Sequence, residues 1–111
     1  MDAPATPIVT ARYYPILRRL ECGDRTVRLH KLEADFLLAA ASAGPHGITW
    51  DRLTECVWGA NVTHLNKVDA SRRQLLRNLR IALLDTDIKI ETIAGSGVVC
   101  LADITVVEPT P

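Results

Sequence analysis

The sequence predicts an α+β domain: a small N-terminal antiparallel sheet, three helices and a C-terminal β-hairpin. Three observations carry this. The first thirty residues are rich in Ile, Val, Thr and Tyr and are broken by Pro15 and by Glu21-Cys22-Gly23-Asp24, a strand–turn composition. Between Lys31 and Leu84 the apolar residues recur at helical spacing in three stretches punctuated by glycine. From Ile88 the chain alternates Ile-Lys-Ile-Glu-Thr-Ile, turns at Ala94-Gly95-Ser96-Gly97 and returns through a second apolar run.

At 111 residues with a 48% hydrophobic share, the chain has the size and composition of one domain with a real core. The expected division is a loose arm over 1–7, a single domain over 8–107 and a tail over 108–111. No apolar run nears about 20 residues, so no membrane span is expected. The start, Met1-Asp2-Ala3-Pro4, is not of signal-peptide type. Cys22, Cys56 and Cys100 are odd in number and far apart, which fits reduced thiols in a cytoplasm, each a small buried apolar residue. The net charge of zero counts against indiscriminate nucleic-acid binding. Arginine is nevertheless concentrated, with Arg72, Arg73, Arg77 and Arg80 in one short stretch.

Ile8 to Tyr14 reads as a strand that Pro15 interrupts, followed by short strands at Ile16–Leu20 and Thr26–Leu29. The first helix is expected from Lys31 to Ser42, with Leu32, Phe36, Leu37 and Ala40 on its apolar face. His30 stands at its cap, where Glu33 can bond back to the His30 N–H. Gly44-Pro45-His46-Gly47 ends it, a run that supports neither helix nor strand. Thr49 caps the second helix, Asp51 favours its positive end, and Leu53, Val57 and Trp58 face inward. Gly59 closes it. Gly59 to Asn66 is a polar loop. Asn66 caps a third helix that runs to about Leu84. Asp85-Thr86-Asp87 breaks the chain before the strand Ile88–Ile93, the turn and the strand Val98–Leu101. Residues 104–107 extend a sheet.

On the third helix, at roughly 100° per residue, Leu75, Leu79 and Leu83 share one face with Leu76 at its flank. Arg73, Arg77 and Arg80 fall on another, with Gln74 and Asn78 beside them. Arginine pairs bidentately with guanine or phosphate, and Asn or Gln with adenine, so such a helix suits a DNA major groove. The plain alternative is a solvated amphipathic helix. A hairpin directly after this helix is the layout of a winged helix-turn-helix, whose third helix reads DNA.

Four pieces in this order resemble the OmpR/PhoB-type winged-helix DNA-binding domain over roughly Leu17 to Leu101. They are Val27-Arg28-Leu29-His30-Lys31-Leu32-Glu33 with Phe36-Leu37-Leu38; Ile48-Thr49-Trp50-Asp51-Arg52-Leu53 with Val57-Trp58-Gly59; Leu76-Arg77-Asn78-Leu79-Arg80-Ile81-Ala82-Leu83; and Ile90-Glu91-Thr92-Ile93-Ala94-Gly95-Ser96-Gly97. The chain departs from the family in several places. His30 replaces the usual Thr or Ser. Val68-Asp69 lies one turn too early, so the helix is a turn longer or the register slips there. Ala94 and Val98 replace the wing's basic residue and aromatic. The receiver module of about 120 residues is absent, which implies a stand-alone domain or a fragment.

The resemblance implies sequence-specific double-stranded DNA binding and transcriptional regulation. Arg73, Arg77 and Arg80 are expected on phosphates or guanine edges, and Ser71, Gln74 and Asn78 on bases. Arg72 is expected to protrude to solvent or phosphate, and Arg80 with Thr92 to hold the DNA backbone. It also implies a monomer that assembles head to tail on direct repeats. The competing expectation is a protein-interaction module that meets RNA polymerase or another regulator through the loop carrying Asn61, Thr63 and His64. His30, His46, His64 and the cysteines show no metal-ligand spacing, and no nucleophile or phosphate-loop motif occurs. No metal, cofactor or enzymatic activity is therefore expected.

Overall fold

The computed structural model describes residues 9–59, 65–93 and 96–107, the side chains of 65–70 excepted. The arm 1–7, the tail 108–111, the loop residues Asn61, Thr63 and His64, and Ala94 at the wing tip lie outside them. The elements run β1 (Val9–Tyr14), β2 (Arg19–Cys22), β3 (Arg25–Arg28), α1 (Lys31–Ala43), β4 (Ile48–Thr49), α2 (Trp50–Trp58), α3 (Leu65–Ala82), β5 (Ile90–Ile93), β6 (Gly97–Cys100) and β7 (Ala102–Val106). Strands, three helices and a hairpin follow one another as the periodicities predict, and the α+β class holds.

The N-terminal sheet differs from the small antiparallel one expected. It has four strands in the order β3-β2-β1-β7. The last strand of the chain lies parallel to the first, with Val9 opposite Ala102 and Tyr13 opposite Val106. The first part of the strand expected at Ile16–Leu20, residues 16–18, is instead a turn. Pro15 cannot donate to a ladder, so β1 stops before it. Arg18 N–H then donates to the Pro15 carbonyl at 3.2 Å, with Arg18 at φ 50°, and Ile16 and Leu17 are left at the tip. β2 starts three residues and ends two residues later than expected, at Arg19–Cys22, and its turn shrinks to Gly23-Asp24, where Gly23 takes φ 59°.

α1 begins as its cap predicts, with the His30 N–H donating to Glu33 Oε1 at 2.9 Å. Phe36, Leu37 and Ala40 are buried, whereas Leu32 is exposed and buried Glu33 and Ala34 complete the inner face. Gly44–His46 forms one 3-10 turn rather than the irregular break expected. Thr49 Oγ1 accepts from the Arg52 N–H at 3.2 Å, and Gly59 ends α2 at φ 92°. α3 is 18 residues long. It starts at Leu65, so Asn66 lies inside the first turn and is not its cap, and it ends at Ala82 rather than Leu84. Val68 and Asp69 lie within the same continuous helix as Leu76 to Ala82.

The core is one cluster in which Phe36, Leu20, Leu29, Leu37, Leu53, Leu79, Val98 and Cys100 are fully enclosed. The hairpin β5–β6 gains a third strand, since Ile48 pairs with Val98 and Thr49 with Gly97, giving the order β4-β6-β5. Here the backbones approach so closely that a Cβ on Gly97 would collide with the Ile48 carbonyl. Ile88 is buried but precedes the ladder, which starts at Ile90. Buried Thr86 occupies the expected break: its hydroxyl donates to the Leu83 carbonyl at 2.8 Å and accepts from the Ile88 N–H at 3.2 Å. Cys22 and Cys100 are buried as expected; Cys56, on the outer side of α2, is exposed.

Candidate nucleic-acid interface

α3 is fixed by its leucines. Leu75, Leu76, Leu79 and Leu83 are all buried, so the residues between them are turned outward. Ser71, Arg73, Gln74, Arg77, Asn78 and Arg80 are exposed. Gln74 Nε2 donates to Asn78 Oδ1 at 3.0 Å, one helical turn away, and this joins the two amides into one unit.

Two arginines of the stretch do not point where the sequence suggests. Arg72 does not protrude. It is half-buried against α2, with its guanidinium 5.4 Å from the ring centre of Trp50 and Nη1 donating to Thr54 Oγ1 at 3.2 Å. Thr54 in turn donates to the Trp50 carbonyl at 2.7 Å. A planar, weakly hydrated cation loses little by stacking on an indole, and the helix phase that puts Arg72 beside the leucines turns it toward α2. Arg72 thus fastens α3 to α2. Trp50 and Thr54 are site-supporting residues that sequence reasoning missed. The available signal was the position of Arg72 on the apolar side of the wheel, which calls for a partner across the interface.

Arg80 fastens the other end. Its Nε and Nη2 donate to the Ile90 carbonyl at 3.2 and 2.9 Å, and Nη2 also donates to Thr92 Oγ1 at 2.8 Å. The geometry therefore brings Arg80 and Thr92 together. It also commits the guanidinium to strand β5, so the wing is held beside the outward face of α3. The tip of the wing meets α2 as well, through the Trp50 N–H donating to the Ser96 carbonyl at 3.1 Å. Val98, in the position of the family's aromatic, is wholly buried in the core.

Among the described residues, no three His, Cys, Asp or Glu side chains gather as a cation site would require. No described helix is long and apolar enough to cross a membrane.

Two helices clamped by Arg72, followed by a wing clamped by Arg80, give the chain a winged helix-turn-helix fold, similar to that of OmpR/PhoB-type DNA-binding domains. Solved structures with this fold include the Klebsiella pneumoniae RstA DNA-binding domain in complex with the RstA box, at 25% identity over 78% of this chain and 85% of that one, with a TM-score of 0.62. The C-terminal DNA-binding domain of K. pneumoniae RstA matches at 20% identity over 90% and 91% of the two chains, TM-score 0.65. The DNA-binding domain of E. coli CadC matches at 20% identity over 88% and 95%, TM-score 0.59. No protein-family model matches the chain, and no curated protein matches its sequence.

Proposed function

We propose that this chain is a sequence-specific, double-stranded DNA-binding transcriptional regulator that lays α3 in the major groove. It is a binding domain rather than an enzyme. The carrying observation is the outward face of α3, where Arg73, Gln74, Arg77 and Asn78 stand together over a leucine face that is fully spent on the core. The solved structures with this fold are DNA-binding domains, one of them bound to its DNA box.

Ser71 to Asn78 spans about 11 Å along the helix, the length of about three stacked base pairs. The amide pair suggests what is read. With one Nε2 hydrogen of Gln74 bonded to Asn78 Oδ1, the pair still offers Gln74 Oε1 as acceptor and Asn78 Nδ2 as donor, beside the second Nε2 hydrogen. Adenine offers the complement in the major groove, an N6 donor beside an N7 acceptor. Arg77, in the middle of the face, reads guanine, and Arg73 meets phosphate. Arg80 and Thr92 form a joined polar edge toward the flanking backbone. Copies bind direct repeats head to tail, with half-sites about one helical turn apart.

The test is affinity across a salt series on a selected site and on a scrambled one. Arg77→Ala should leave stability within ~0.5 kcal/mol. It should cost roughly 1–3 kcal/mol on the selected site and relax preference at one position. Arg73→Ala should lower the salt slope by about one unit on both duplexes. Unchanged affinity and slope in both variants would remove the α3 face as a DNA surface.

A further inference from the structure

The outer face of α3 changes character along its length. Its middle carries Ser71, Gln74 and Asn78, which suit DNA. Its far end is apolar: Ile81 is 56% exposed, and Leu84 is 75% exposed. The Leu84 N–H donates to the Ile81 carbonyl at 3.3 Å, so both side chains belong to the turn that ends the helix. Arg77, Ile81 and Leu84 are spaced i, i+4, i+7 and form one ridge. Two shallow cavities adjoin along it. One, of about 370 Å³, has buried Leu76 and Ile81 in its wall, with Arg73 and Arg77 beside them. The other, of about 400 Å³, is walled by Leu83, Ile88 and Ile90. Arg80 and Leu84 line both, and Arg80 keeps its charge while bonded to Ile90 and Thr92. The charged residues lining the pair are Arg73, Arg77, Arg80 and Lys89 against Glu91 alone. Asp85 and Asp87 are exposed beyond the helix and line neither cavity.

We propose that this strip docks an acidic amphipathic helix of another protein. Phosphates and base edges match the arginines, but the apolar contact that DNA offers in the major groove is the thymine methyl, too little to cover Ile81 and Leu84. A partner helix supplies both kinds of contact. Its apolar side chains, spaced i, i+4 and i+7, enter the cavities beside Ile81 and Leu84, and Asp or Glu on its flanks faces Arg73, Arg77 and Lys89. The excess of cations over Glu91 fixes the sign of the partner's charge. From Arg73 to Leu84 the strip runs about 16 Å along the axis, the length of about three turns of such a helix. A docked helix covers Arg77, so it and DNA exclude one another, and the partner holds the chain off its site. Only this exclusion rests on the DNA-binding reading; the docking does not.

The probe is a phage-displayed library of random peptides about 16 residues long, roughly four helical turns, selected on the intact chain. Enriched peptides should carry Asp or Glu and repeat Leu, Ile or Phe at helical spacing. The best of them, synthesised, should bind more weakly as salt rises and should displace the selected duplex. Ile81→Gln with Leu84→Gln should weaken the peptide roughly tenfold. The same double variant should keep the parent's DNA affinity, which also shows that it is folded. A selection without an acidic consensus overturns the proposal, as does a peptide that binds alongside the duplex or binds the double variant as it binds the parent. A double variant that is folded by circular dichroism yet loses DNA along with the peptide also overturns it, since Ile81 and Leu84 would then belong to the DNA surface. Self-association of the parent in sedimentation, abolished in the double variant, would give the strip to a second copy and overturn it too. Peptide docking that responds to the double variant, with no duplex bound by any chain, upholds the docking and overturns the DNA reading alone.

Discussion

The two sheets of this domain are held by different means. The N-terminal sheet is four strands wide and rests on burial: Ala11, Tyr13, Leu20, Cys22 and Ala102 all face the core. Its cohesion is spread over many side chains and over the pairing of β1 with β7. The wing sheet is three short strands; Ile90, Val98 and Cys100 also bury it against the core, but two point contacts add a more local hold on its position. One is the backbone approach of Gly97 to Ile48, and the other is the Arg80 guanidinium on Ile90 and Thr92. Spread burial tolerates single changes and builds a platform. Point contacts fix an angle between elements, which an interface needs, and they fail when one residue fails. The proposed reading face is mounted next to the second kind of sheet.

Ending the chain at Leu101 is the most severe break of the first sheet. It removes β7, opens the β1 edge and uncovers the site of Ala102, and the cooperative denaturant transition should be lost. A retained transition would show that β7 is an accessory strand. The matching break of the second sheet is Gly97→Val. Its side chain would enter the Ile48 carbonyl, and the expected cost is about 3 kcal/mol or more, the upper range of overpacking. Protection of amides in β5 and β6 from hydrogen exchange should fall before that of β1 and β2. Equal loss in both sheets would mean that they unfold as one unit and that the contrast is not energetic.

A smaller effect comes from Cys100 on β6, whose thiol burial pushes up to about 11 from 9.0. Below pH 9 the thiol is neutral in both states. As pH rises from about 9 to about 11 only the unfolded chain ionises, so stability should fall in that window by about 2 kcal/mol. Cys100→Ala should flatten this part of the profile; an identical decline in the variant would assign it to other groups. The smallest expected effect is Arg80→Ala, about 1 kcal/mol for charged hydrogen bonds at a partly exposed site. It should loosen exchange at Ile90–Ile93 while leaving the N-terminal sheet unchanged. A wing that keeps its full protection would show that Gly97 and the β4 pairing position it alone.

Much of this was legible because it is encoded within a few neighbouring residues. Helical periodicity placed the leucine face of α3, and the same phase placed Arg73, Gln74, Arg77 and Asn78 on its outer side. The caps at Thr49 and Gly59 and the bond from Glu33 to His30 involve partners no more than four residues apart, so composition reveals them. Strand partners are a different matter. Nothing near Val9 announces that Ala102 will lie beside it, because a ladder is chosen by which edge remains open once the core has formed. Long side chains obey the same limit. The sequence placed Arg72 and Arg80 on a helix wheel, but a wheel does not say what stands across from it. Only the packed structure put Trp50 and Thr54 before one guanidinium and Ile90 and Thr92 before the other, because a long flexible cation takes its direction from the acceptors and rings that tertiary folding brings within reach.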